Sequence, residues 1–309
     1  VHTFSVIAKR CADEQLVEKI ADEILNPLKT NKVPAADQKV IHSQMLSALN
    51  ANSALAAKVP QGIVGVAGKE TNELAASAEM SAIIKYIVYA LQKDLTVDKT
   101  VVDAFSKGIA EKRMPLRRTW TLGLATIIWT LSDEELSKPN TAAFFDPCVG
   151  KLIDSFNEVL ANPSQASQNG QVSAGCAATA IIVSRVPLIS GLQNTALIKK
   201  ASVADKALTL EPKPSFMLSA RIYSKLTAEE DLIWLVRALS ASLPKLPKSD
   251  EALNVRNAWA QALLYVFCAT GIPPKVKTEA TTALQKLYAS DPAFTSQVVI
   301  DGVWQWCED

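Results

Sequence analysis

Leu116-Arg117-x-x-Trp120-x-x-x-Leu124, Val255-Arg256-x-x-Trp259-x-x-x-Leu263 and Val276-Lys277-x-x-Ala280-x-x-x-Leu284 are three copies of one nine-residue pattern. The first, fifth and ninth positions fall on one stripe of an α-helix, and the basic second position is turned about 100° away. The spacing therefore predicts a buried stripe with the base riding outside it. A fourth, degenerate copy without the base runs Val172-Ser173-x-x-Cys176-x-x-x-Ala180. Recurrence of such a helix within one chain predicts stacked helical hairpins, each too small to bury its own apolar face.

Working outward, the composition agrees. The chain has 309 residues but only 11 glycines, and its hydrophobic fraction of 49% suits helices that bury one another. Prolines at 34, 60, 115, 139, 163, 187, 212, 214, 244, 247, 273, 274 and 292 are read as helix starts and connections, since proline breaks a helix interior. Helices are expected at about residues 12–28, 34–49, 71–92, 98–112, 115–131, 147–160, 172–185, 196–208, 216–226, 228–242, 251–269, 274–289 and 295–306. Ser132 and Ser249 are cap candidates, and Thr227 with Glu230 fits a capping box. Turn-rich stretches at 162–170 and 243–250 read as longer loops. Alternating strand patterns are absent. The expected fold is an all-α, HEAT/armadillo-like superhelical solenoid of stacked antiparallel hairpins. It would be one continuous array over residues 1–309, about six or seven hairpins of roughly 40 to 47 residues. A first residue other than Met, and Trp304-Gln305-Trp306 with indoles on two helix faces, suggest a segment of a longer protein.

Charge and reactive residues bound the function. Thirty-two basic residues against 31 acidic ones leave +1, so any nucleic-acid contact must be local and direct DNA binding is not expected. Five scattered cysteines without a C-x-x-C read as reduced thiols, with Cys11, Cys176 and Cys268 in apolar helical settings. Nothing approaches a run of about 18 apolar residues, so no membrane partner is expected. His2 and His42 are too few for histidine catalysis, no spacing matches a zinc site, and no cofactor is implied. The acidic clusters Asp13-Glu14, Glu134-Glu135 and Glu229-Glu230-Asp231 sit at expected helix starts, where the helix dipole favours them.

Gly62-x-x-Gly65-x-x-Gly68-Lys69 is the nearest approach to a phosphate loop. Five residues separate Gly62 from Gly68, and Glu70 stands where a magnesium-binding hydroxyl is needed. It is therefore read as an inter-helix loop. The densest positive cluster, Lys112, Arg113, Arg117 and Arg118, surrounds the turn before Pro115. It is either a solvated face or a patch contacting RNA phosphates or an acidic partner.

Several segments in order carry a family resemblance: Ala8-Lys9-Arg10-Cys11, the 34–49 helix with Ala36-Asp37-Gln38-Lys39-Val40, Leu116-Arg117-Arg118-Thr119-Trp120, and Asn254-Val255-Arg256-Asn257-Ala258-Trp259 leading into Ala269-Thr270-Gly271-Ile272-Pro273-Pro274-Lys275. Together they resemble the N-terminal arm of the large HEAT-repeat translational activator of the general control, amino-acid starvation pathway, in a fungal form. The resemblance implies a cytoplasmic, non-catalytic scaffold whose partners are the ribosome and, through the full-length protein, the starvation-response kinase of initiation factor two and a partner ATPase. An alternative is a tubulin-binding HEAT domain of a microtubule regulator, using Lys245, Lys248, Lys275 and Lys277. Nuclear transport receptors are a third possibility, although they tend to be markedly acidic.

Overall fold

The computed structural model describes residues 2–30, 32–161, 172–193 and 229–308. Among the described residues there are helices and no strands: α1 (His2–Arg10), α2 (Glu14–Lys29), α3 (Ala36–Ala48), α4 (Ser53–Ala67), α5 (Glu73–Gln92), α6 (Lys99–Ile109), α7 (Met114–Thr130), α8 (Asp133–Leu136), α9 (Pro139–Ala161), α10 (Val172–Ser184), α11 (Glu229–Ser242), α12 (Asp250–Cys268), α13 (Pro274–Ser290) and α14 (Pro292–Glu308). The fold is an all-α helical solenoid, as the repeated stripe predicts. The chain divides into two compact units, 1–152 with 188–194 and 153–187 with 195–309, and the division falls within α9. The helices expected at 196–208 and 216–226, the 162–170 loop and the Thr227 capping box lie outside the described residues.

In the first unit, side-chain caps set where helices begin. Asp13, Asn52 and Asn72 accept hydrogen bonds from the backbone N–H groups of Leu16, Leu55 and Ala75. Ser132 and Glu135 form the reciprocal capping box of α8. Each helix then packs on its near neighbours in sequence: α2 on α3 and α4, α3 on α5, α4 on α5 and α6, and α7 on α5 and α6. This ladder is what stacked hairpins produce. α5 is long and apolar enough to cross a bilayer, but Ile83, Tyr86, Ile87 and Leu91 are fully buried against its neighbours, which is the signature of a core helix. Its Lys85 Nζ donates to the carbonyls of Ser47 and Leu49, and the Tyr86 hydroxyl donates to Leu46 O at 2.7 Å. The cation thus meets the carbonyls of Ser47 and Leu49 where α3 ends, and the phenol adds a second donor to Leu46 O, which already accepts from Leu49 N at 3.2 Å.

The stripe of the first copy is buried as expected, with Trp120 meeting Phe105 edge-on at 4.9 Å and Phe105 meeting Phe144 at 5.5 Å. Gly108 makes this possible, because a Cβ there would stand 2.2 Å from Trp120 Cγ. Gly108→Ala is therefore expected to cost about 1 to 3 kcal/mol by overpacking, read as a lower midpoint in urea unfolding; an unchanged midpoint would show that the indole can retreat.

Proline and glycine were misleading in two places. The stretch read as a loop around Gly62, Gly65 and Gly68 is α4, with Pro60 buried in its interior and Gly68 as its C-cap. Val59 and Ile63 are fully buried on either side of Pro60, so packing offsets the lost backbone hydrogen bond. Gly62 is a packing device, since a Cβ would sit 2.8 Å from the Leu25 methyls. Likewise α9 begins at Pro139 and runs through Pro147.

In the second unit α10 packs on α11, α11 on α12 and α13, and α14 on α12 and α13. Trp234, Trp259 and Leu263 fill its core. The base in the nine-residue pattern does not ride outside here. Arg256 is only 7% exposed, while Val255 beside it is half-buried. Its guanidinium donates to Asp291 Oδ2 at 2.9 Å and stacks over the Phe294 ring at 4.1 Å. Trp259 and Leu263 of the same stripe stay fully buried, and the second position is covered in addition because the start of α14 packs over it. Asp291 closes the joint: its carboxylate also takes Lys248 Nζ at 3.0 Å, and its side chain and carbonyl cap the first turn of α14 through Phe294 N and Thr295 N. The cysteines differ too: Cys148 in the first unit and Cys176 in the second are each buried, whereas Cys11 is half-buried and Cys268 exposed.

Candidate partner-binding surface

The turn between α6 and α7 carries the predicted basic cluster. Arg113 is the N-cap residue of α7, and Pro115 occupies the first helical turn, where it lacks only an N–H that needs no intrahelical acceptor. Glu111 organises this turn, accepting from the backbone N–H groups of Lys112 and Arg113 at 3.0 and 3.2 Å and from the Arg113 guanidinium at 3.3 Å. The Arg113 guanidinium, together with those N–H groups, holds the Glu111 carboxyl below its ordinary value. Arg113 Nη2 also donates to the carbonyl of Gly68 at 3.2 Å, tying this turn to the one between α4 and α5.

The second turn is built on Glu70, which is buried. One oxygen accepts from Thr71 N and Asn72 N, each at 2.9 Å, and the other pairs with Lys39 Nζ of α3 at 2.6 Å. Burial pushes the Glu70 carboxyl up, but Lys39 and the two N–H groups more than offset it and hold the acid below its ordinary value. Between the two turns opens a groove of about 250 Å³, floored by Ala76, Pro115 and Leu116 and edged by Glu73, Arg113 and Thr119.

Lys112 and Arg113 are both exposed, and Arg113 lines this groove. Arg117 and Arg118 are half-buried on α7, so they are not part of a freely solvated face. Lys69 adds an exposed cation that the sequence reading placed in a loop and passed over. The groove had no sequence signal of its own, because its floor residues read only as helix core.

Of the lysines named for the tubulin alternative, Lys245 is exposed, Lys248 pairs with Asp291, Lys275 lies 3.6 Å from Glu229, and Lys277 is half-buried. Among the described residues no three of His, Cys, Asp and Glu are grouped to hold a metal ion.

A ladder of helical hairpins that presents a basic turn beside an apolar groove defines a helical-repeat protein of scaffold type. A family model described as General control nonderepressible 1 (Gcn1) N-terminal matches residues 36–309, and the chain belongs to that family. Comparison with curated proteins and with solved structures gave no match.

Proposed function

We propose that this chain is a non-catalytic scaffold segment of a ribosome-associated activator of the kinase that phosphorylates initiation factor two alpha during amino-acid starvation. The family match over residues 36–309 carries this reading. The family's own name places it in general control, and the exposed Lys69, Lys112 and Arg113 offer a local basic surface of the kind a ribosome-bound arm uses. In this reading the protein works in the cytoplasm, and the kinase and a partner ATPase engage other parts of the full-length protein.

Co-sedimentation with ribosomes across a salt series tests it. The chain should pellet at low salt and be released as salt rises, because neutralised phosphates give counterion release. Lys69→Glu combined with Lys112→Glu should weaken association about tenfold and flatten the salt dependence. Both residues are exposed, so the fold is spared. A double variant with unchanged association would remove this surface from the ribosomal contact, and absence of any association at low salt would leave the segment a spacer.

A further inference from the structure

The glycine-rich stretch that fails as a phosphate loop forms one wall of a different recess. Gly65 on α4 and Lys69 just after it, with Lys29 at the end of α2 and Lys39 on α3, line a cleft of about 490 Å³. That volume falls within the range of roughly 300 to 1,000 Å³ typical of small-molecule sites. Its charge is one-sided. Three lysines arrive from three separate elements, and among the described residues that line the cleft Glu70 is the one acid. Glu70 is already held by Lys39 and by the backbone N–H groups of Thr71 and Asn72. Lys29 and Lys69 are exposed and have no ion-pair partner among the described residues. Lys39, with 14% of its side chain exposed, is set into the wall, and its bond to Glu70 occupies only one of three N–H donors.

Gly65 is a second, independent sign. A helix interior disfavours glycine, so each one there needs a reason. Gly62 has one in the Leu25 methyls packed against it. Gly65 has none inside the protein: a Cβ there would meet nothing within 4 Å, and the residue lines the cleft. Its missing side chain leaves that space open.

We propose that this cleft binds a compact polyphosphorylated small molecule of the inositol polyphosphate class. Lysine ammonium groups act as point charges on phosphoryl oxygens, and three of them converging on one recess match several phosphoryl groups carried on one small ring. A peptide carboxylate is matched best by the arginine fork, and no arginine is among the described residues of the lining. No aromatic ring is there either, so a nucleotide base has nothing to stack on. An RNA strand spreads its charges along its length, whereas this site gathers cations in one place. Such a ligand would bind whether or not the chain contacts ribosomes, and Lys69 alone is common to the two surfaces.

Isothermal titration calorimetry of the full chain with inositol hexakisphosphate is the test, with orthophosphate and a uridine decamer compared at the same ionic strength. The hexakisphosphate should bind at least about tenfold more tightly than either. Gly65→Glu places a carboxylate in the open space and should weaken binding at least about tenfold, with helical circular dichroism unchanged. Lys29→Gln combined with Lys69→Gln should weaken it about tenfold and reduce its salt dependence. Lys107→Gln combined with Lys112→Gln removes two exposed lysines outside the cleft and should change it less than about twofold. Absence of binding, or indifference to Gly65→Glu, would overturn the proposal. Equal losses from the two lysine pairs would reduce the effect to general attraction of polyanions and overturn it as well. A uridine decamer that binds as tightly as the hexakisphosphate would assign the cleft to RNA instead. Gly65→Glu should also leave ribosome co-sedimentation unchanged, which separates the fate of this cleft from that of the ribosomal reading.

Discussion

Asp291→Ala should destabilise the second unit by roughly 2 to 3 kcal/mol, from loss of a charged hydrogen bond to the nearly buried Arg256 together with a helix cap. Arg256 has only 9% of its side chain exposed and would lose its carboxylate while remaining packed against Phe294. The same substitution removes the side-chain acceptor at Phe294 N, so α14 loses its N-terminal cap as well. Lys248, whose side chain is 66% exposed, can turn to water, and Lys248→Met should cost far less. Urea unfolding of the three proteins gives the ranking. A loss for Asp291→Ala no greater than that for Lys248→Met would show that Arg256 finds another acceptor. The acid dependence has a fixed sign. Lys248 and Arg256 hold the Asp291 carboxyl below its ordinary value, so its contribution is complete above that ordinary value and is lost as pH falls through the lowered one.

Glu79→Gln should act in the opposite direction, stabilising the first unit at pH 8 by up to about 3 kcal/mol. Glu79 is fully buried on α5, and neither carboxylate oxygen has a hydrogen-bond partner. Burial, and then the charge of Glu70, push its carboxyl up to about 7 from an ordinary 4.5, with Lys39 opposing. The folded chain therefore binds the Glu79 proton more tightly than the unfolded chain does. Stability associated with this group is complete below about pH 4.5 and declines as pH rises through about 7, where the buried acid must ionise. Glutamine keeps the shape without the ionisation, so its advantage should shrink to under about 1 kcal/mol by pH 5. Thermal melts of both proteins at pH 5 and pH 8 provide the comparison. A gain of equal size at both pH values would mean that the effect comes from packing and not from charge.

Much of the architecture was legible because it rests on period. The stripes around Trp120, Trp259 and Val276 fix α7, α12 and α13 to within a residue or two of their observed bounds. The Ser132 cap was legible because its partner Glu135 lies three residues away, within one turn. What escaped depends on distance in sequence. Gly62 looks like a breaker until Leu25, 37 positions earlier, is placed against it. Arg256 looks solvated until Asp291 and Phe294 come up beside it. At the candidate surface the cations were visible as a cluster, but the split between exposed Lys112 and Arg113 and half-buried Arg117 and Arg118 follows from how α7 seats on α5 and α6. The apolar recess between the turns needs both turns in place before it exists.

The last turn of α3 is finished by groups that the chain supplies about 40 residues later, Lys85 and Tyr86. On a translating ribosome this sets an order of assembly. Until α5 has emerged, the carbonyls of Ser47 and Leu49 at the end of α3 lack the donor that Lys85 supplies; once Lys85 and Tyr86 arrive, the earlier hairpin is latched by the later one. At this step growth of the stack is directional, the later hairpin completing the earlier one.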